Sequence, residues 1–128
     1  MPRTVLVVDD DRDIVNLVAL VLGFAGYQVQ TAADGQEALE AVGRGMPDLI
    51  LLDMKMPVMD GWEFAKEFQA KYDLRTPIVV LTAATDARKR AEEIGAAGWV
   101  GKPFELETLV EVVSQHLRAE QADHGPAG

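Results

Sequence analysis

The sequence predicts an α/β fold, a doubly wound five-stranded parallel sheet with helices on both faces. Two observations predict it: short continuous apolar runs alternate with segments of helical periodicity, and the runs close on polar or charged residues. A third observation is the length, 128 residues, which suits one domain with one hydrophobic core.

The elements follow in order. Val5-Leu6-Val7-Val8 is a strand buried on both faces, as are Leu49-Ile50-Leu51-Leu52 and Ile78-Val79-Val80-Leu81. Ile14, Leu17, Val18 and Val21 recur at three and four residues and mark the first helix, with Gly26 as its stop. Tyr27-Gln28-Val29-Gln30-Thr31 alternates, which fits a more exposed strand. Asp34-x-x-Glu37 and Asp60-x-x-Glu63 have the spacing of capping boxes and open the second and third helices. Ala87, Ala91 and Ile94 mark a fourth helix that ends near Gly95, and Trp99-Val100-Gly101 reads as an edge strand. Leu106, Leu109, Val110, Val113 and Leu117 mark the fifth helix. The resulting (βα)5 order, joined by right-handed crossovers, leads to the flavodoxin-like strand order 2-1-3-4-5. Residues 1–118 form the expected domain. Residues 119–128 carry no apolar periodicity and read as a flexible tail, with no output domain expected after it.

Composition narrows the function. Twelve basic against twenty-one acidic residues give a formal charge of −9, which disfavours direct binding to a polyanion such as nucleic acid. No apolar run reaches the roughly 20 residues of a membrane span, and the start does not resemble a cleavable signal. The absence of cysteine removes disulfides and thiolate metal sites and agrees with a reducing, cytoplasmic setting.

Chemistry concentrates at the strand ends. In open α/β sheets ligands bind outside the carboxyl ends of the strands, where the strand order reverses. Asp9, Asp10 and Asp11 leave the first strand, Asp53 closes the third, Thr82 the fourth and Lys102 the fifth. Asp11 is read as a helix N-cap. Asp53 ends a run of four apolar residues, where burying a charge is costly. Two carboxylates about 4 Å apart repel by roughly 4 kcal/mol at an effective dielectric of about 20, so a cluster of acids calls for a cation. Hard carboxylate oxygens without His or Cys favour Mg²⁺, or Mn²⁺, over zinc. A divalent ion with Lys102 converts an acidic rim into a place for a phosphoryl group, with the Thr82 hydroxyl donating to one of its oxygens. Asp53 is then the natural nucleophile, forming an aspartyl-phosphate.

From Arg3 to about Leu117 the chain resembles the receiver domain of bacterial two-component response regulators, in particular the stand-alone, chemotaxis-regulator-like type. The resemblance rests on Val7-Val8-Asp9-Asp10, on Asp53 with Pro57 and Gly61 at fixed distances behind it, on Leu81-Thr82-Ala83 and on Lys102-Pro103-Phe104. It implies that Asp53 accepts phosphate from a histidine kinase, a His-containing phosphotransfer protein or a small phosphodonor. It also implies Asp10 and Asp53 as direct Mg²⁺ ligands, Asp9 acting through water, and the Lys55 backbone carbonyl completing the set. Thr82 and Lys102 would hold the phosphoryl oxygens, and the Lys102-Pro103 bond is expected to be cis. Phosphorylation would draw Thr82 inward and let Trp99 turn behind it, reshaping the face of the fourth helix, fifth strand and fifth helix for partner binding or phosphorelay. The resemblance leaves a monomer and a phosphorylation-dependent dimer both open.

Departures from that pattern carry information. Position 99 holds Trp where the family usually has Tyr or Phe, so it is read either as edge-strand core or as a switch. Gly95-Ala96-Ala97-Gly98 lacks the paired acids of the winged-helix transcription-factor subgroup. Lys55 and Ala84, two residues beyond Asp53 and Thr82, occupy positions that the resembled family uses to tune dephosphorylation, and the resemblance implies slow self-hydrolysis. Met54, Met56 and Met59 read as loop packing, His116 as a surface residue and His124 as part of the tail. Arg88-Lys89-Arg90 reads as a solvated helix face, or as a contact for an acidic partner. Two other functions compete: a haloacid-dehalogenase-like phosphatase with Asp9 as nucleophile and Asp11 as general acid, and a phosphate-independent interaction module on the same fold. A dinucleotide-binding domain fits worse, because the first turn carries carboxylates where glycines should cradle a pyrophosphate.

Overall fold

The computed structural model describes residues 2–72 and 76–124, in which strands and helices alternate throughout. They are β1 (Thr4–Val8), α1 (Arg12–Phe24), β2 (Gln28–Ala32), α2 (Gly35–Arg44), β3 (Leu49–Leu52), α3 (Gly61–Lys71), β4 (Ile78–Ala83), α4 (Ala87–Ile94), β5 (Gly98–Lys102) and α5 (Leu106–His124). The sheet is parallel in the order β2-β1-β3-β4-β5, as the apolar runs and their alternation with helices predict.

Strand alternation builds two cores. Leu6, Val8, Ile50, Leu52, Ile78 and Val80 point to one face and pack against α2, α3 and α4 through Ala38, Ala41, Val42, Phe64, Phe68 and Ala91. Their neighbours Val5, Val7, Leu49, Leu51, Val79 and Leu81 point the other way, onto Val15, Val18 and Leu22 of α1 and Leu109, Val113 and Leu117 of α5. Each fully buried large side chain contributes about 2 kcal/mol through removal from water. Residues of the three central strands are therefore apolar on both faces, which is why their runs show no alternation.

Caps fix where the helices begin. The Asp11 carboxylate accepts from the Asp13 and Ile14 N–H groups at 3.0 and 3.3 Å, so this residue is the N-cap of α1. Asp34 accepts from Glu37 N–H at 2.9 Å while the Glu37 carboxylate reaches back to Ala33 N–H at 3.0 Å. Asp60 accepts from Glu63 N–H at 2.9 Å at the start of α3. Gly95 ends α4 in the left-handed conformation, φ 68°.

Two expectations change. The buried stripe of α1 is Val15, Val18 and Leu22, whereas Leu17 is 45% exposed. Apolar residues surround most of this helix, so periodicity alone does not select the face that meets the sheet. The predicted flexible tail also begins inside a helix, since α5 continues to His124. Ala119, Glu120, Gln121 and Ala122 are good helix formers and need no apolar stripe to propagate it. The remainder of that tail, 125–128, lies outside the described residues. Among the described residues no helix is long and apolar enough to cross a membrane.

Candidate functional site

The parallel register of β1 and β3 pairs Val8 with Leu52, so the next residues, Asp9 and Asp53, leave the sheet side by side. The Asp53 N–H donates to the Val8 carbonyl at 2.9 Å and the Asp9 N–H to the Ala32 carbonyl at 3.1 Å. Both carboxylates start from backbone locked by the ladder. The Asp9 carboxylate accepts from Asp11 N–H at 2.9 Å, which turns the chain and leaves Asp10 exposed above the rim. One carboxylate oxygen from each of Asp9, Asp10 and Asp53 lies within 4.8 Å of the others.

The β4–β5 pair brings the remaining groups to the same rim. Thr82 pairs with Gly101, and Ala83 with Lys102. The Lys102 Nζ lies 2.8 Å from Asp9 Oδ2 and 3.9 Å from Asp53 Oδ1. Asp9, Asp53 and Thr82 are all buried. Gly61 lets α3 approach this floor: its N–H donates to the Met54 carbonyl at 2.9 Å, and a Cβ there would lie 2.7 Å from Met54 Cα and 2.8 Å from the Asp53 carbonyl oxygen. The Lys102-Pro103 peptide is cis.

Charge at this rim is not balanced. Burial, followed by the charge of Asp9, pushes the Asp53 carboxyl up to about 7; Lys102 and a hydrogen bond from the Lys55 backbone pull it down, and Asp10 raises it again. Lys102 is committed first to Asp9. A further cation would therefore stabilise the cluster, and the donors favour a hard one: the group consists of carboxylates alone. In front of it opens a recess of about 400 Å³, whose walls include Asp10, Met54, Lys55, Asp60 and Trp62.

Other residues singled out in the sequence fall elsewhere. Trp99 lies on the edge strand, 47% exposed. Met54 is fully buried, and Met56 and Met59 pack against the same core, so the methionines are packing residues. Arg88 pairs with Glu92 and Arg90 with Glu93, so two of the three basic residues on α4 find acids on their own helix. His116 is not simply a surface residue. Its Nδ1 lies 2.8 Å from the Val112 carbonyl and its Nε2 3.2 Å from that of Ala97, with the ring against Gly98. His124 lies at the end of α5. Sequence reading missed Trp62, whose indole N–H donates to Glu93 on α4 at 2.9 Å. No spacing signal could have found that pair, which depends on how two helices sit on the sheet. Asp11, which the phosphatase alternative needs as its general acid, is held through Oδ1 as the N-cap of α1.

Comparison with known proteins agrees with this geometry. Residues 5–114 match the family model for the response regulator receiver domain. The response regulator MprA of Mycobacterium sp. (strain KMS) is 39% identical over 128 residues, which cover 98% of this chain and 55% of that protein. The chain thus spans about half the length of the curated relatives it matches. Among solved structures, the chemotaxis response regulator CheY4 of Vibrio cholerae is 42% identical with a TM-score of 0.82, covering 91% of this chain and 99% of that one. NtrX of Brucella abortus, at 29% identity, has a TM-score of 0.88 over 96% of this chain and 28% of its own. With this sheet order, this clustering of strand-end acids and this match along most of its length, the chain belongs to the response regulator receiver domain family.

Proposed function

We propose that Asp53 is the phosphoacceptor of a Mg²⁺-dependent switch. The observation that carries this is the meeting of Asp9, Asp10 and Asp53 within 4.8 Å, with Lys102 Nζ between the two buried acids. A carboxylate oxygen of Asp53 attacks phosphorus, the bond from phosphorus to the donor's imidazole nitrogen or acyl oxygen breaks, and the donor leaves with that electron pair. Lys102 and the Thr82 hydroxyl hold phosphoryl oxygens and fix their orientation. Asp10, Asp53 and the Lys55 carbonyl would hold the cation directly, with Asp9 through water; when bound, it offsets the negative charge that carboxylates and phosphoryl oxygens bring together. As a receiver domain the chain is a signalling module rather than a conventional enzyme. That it assists its own phosphorylation and dephosphorylation is part of the proposal.

The donor is a histidine kinase or a phosphotransfer protein, and the setting is the cytoplasm. The output surface is the α4–β5–α5 face, where Trp99 is half exposed and available to reorient behind Thr82. Incubation with Mg²⁺ and acetyl phosphate, read by intact mass, tests the acceptor. One phosphoryl adduct in the wild type and none in Asp53→Ala is expected; an adduct that survives in Asp53→Ala would overturn the assignment.

The same site suggests a long-lived phosphoryl group. Lys55 is exposed beside it, and Ala84, also exposed, offers no acceptor to orient an attacking water. Phosphate lifetimes in Lys55→Asn and Ala84→Glu are expected to shorten severalfold. Lifetimes unchanged in both remove the idea.

A further inference from the structure

Trp62 is the second residue of α3 and forms part of the wall of the recess in front of the acidic cluster, with Asp10, Lys55 and Asp60. Its indole is pinned from α4. The Nε1–H donates to Glu93 Oε1 at 2.9 Å, and the Arg90 guanidinium lies 5.1 Å from the ring centroid. Arg90 Nη1 is in turn 3.2 Å from each oxygen of Glu93, so the three side chains close a triangle between two helices. Further along α3, Gln69 Nε2–H donates to the Ile94 carbonyl at 2.9 Å, a second tie to the end of α4. The indole hydrogen bond, with Arg90 adding to it, holds the Glu93 carboxyl below its usual range.

None of these groups touches the reacting atoms, yet the ring they fix borders the approach to them. Met56 and Pro57 line the same recess and offer apolar contact to an indole released from Glu93. A released ring would settle over that surface and narrow the opening.

We infer that Glu93 and Arg90 are positioning residues that hold the Trp62 indole back as a fixed wall, so that the placement of α4 sets the access of phosphodonor and cation to the acidic site. This rests on the proposed role of Asp53 and adds its regulation. Coupling of this kind is reciprocal: if α4 governs access to the site, occupation of the site biases α4. The route runs along the outer surface of α3 and α4, separate from Thr82 and Trp99.

The test compares the rate of Asp53 phosphorylation by acetyl phosphate, read by intact mass at fixed Mg²⁺, in four variants. Glu93→Ala and Trp62→Phe each remove the indole hydrogen bond and are expected to slow the reaction about threefold, the scale of one exposed charged interaction. The double variant is expected to be no slower than either single one. Glu93→Gln, which keeps an acceptor for the indole, is expected to stay close to wild type, a rescue that a merely structural role for the ion pair would not give. Wild-type rates in both Glu93→Ala and Trp62→Phe, or losses that multiply in the double variant, would overturn the inference while leaving Asp53 as acceptor. A wild type that forms no adduct overturns both readings.

Discussion

At Asp53, burial and the charge of Asp9 outweigh Lys102 and the Lys55 backbone and hold the carboxyl near 7. In the unfolded chain the same group titrates at about 4, so between these values the folded state binds the proton more tightly. A folded state that holds more protons than the unfolded one loses stability as pH rises. The contribution of Asp53 is therefore most favourable below about pH 4, falls as pH climbs to about 7 and is level above that. Asp53→Asn removes the penalty. In metal-free buffer its melting temperature is expected to exceed that of the wild type by about 5 °C at pH 8, with a smaller gap at pH 5. A gap equal at both values would contradict the linkage. Val58, in the loop that follows Asp53, shows a second local tension. It is 80% exposed and has φ 68°, a conformation that a β-branched side chain adopts only under strain. Val58→Asn is expected to add about 1 kcal/mol to stability in urea unfolding, because Asn tolerates the left-handed region.

Among the elements, legibility followed from how local the controlling physics is. β1, β3 and β4 were plain because burial on both faces writes an unbroken apolar run, and the helix starts were plain because Asp34 and Asp60 carry their capping hydrogen bonds within one turn. The face of α1 was not, since Leu17, Leu20 and Phe24 are as apolar as the residues it buries and only docking on the sheet separates them. The length of α5 escaped for the opposite reason: good helix formers extend it past the end of its apolar pattern at Leu117. The β3–α3 connection shows how one position governs an element. A methyl group at Gly61 would meet the backbone of both Asp53 and Met54, and neither can yield without shifting Asp53. Gly61→Ala is expected to cost about 2 kcal/mol in denaturant unfolding, as overpacking does, and to slow phosphorylation of Asp53 together with the loss of stability. An unchanged midpoint would show that the loop relaxes freely.

For the molecule as a whole, the site was legible because topology does the gathering: once the order 2-1-3-4-5 is inferred, residues 9, 53, 82 and 102 must share a rim. What stayed hidden was the pairing within it. Burial and the charge of Asp9 raise Asp53, and Lys102, which sits closer to Asp9 than to Asp53, offsets only part of that. The consequence is a linkage between cation binding, protonation and folding. A divalent ion that binds only the folded chain stabilises it by RT ln(1 + [L]/Kd), about 2.7 kcal/mol at a hundredfold excess over Kd. For a chain of this size that is roughly 8 °C in melting temperature. Binding at the cluster requires Asp53 without its proton, so the apparent affinity rises as pH passes upward through about 7 and levels beyond it. Melting scans with and without Mg²⁺ at pH 6 and pH 8 are therefore expected to show a larger gain at pH 8. In Asp53→Asn the pH dependence of that gain should vanish and its size shrink, because the proton in competition and one carboxylate ligand have both gone. A Mg²⁺ gain of equal size at both pH values, or one undiminished in Asp53→Asn, would mean that the ion binds away from these three acids.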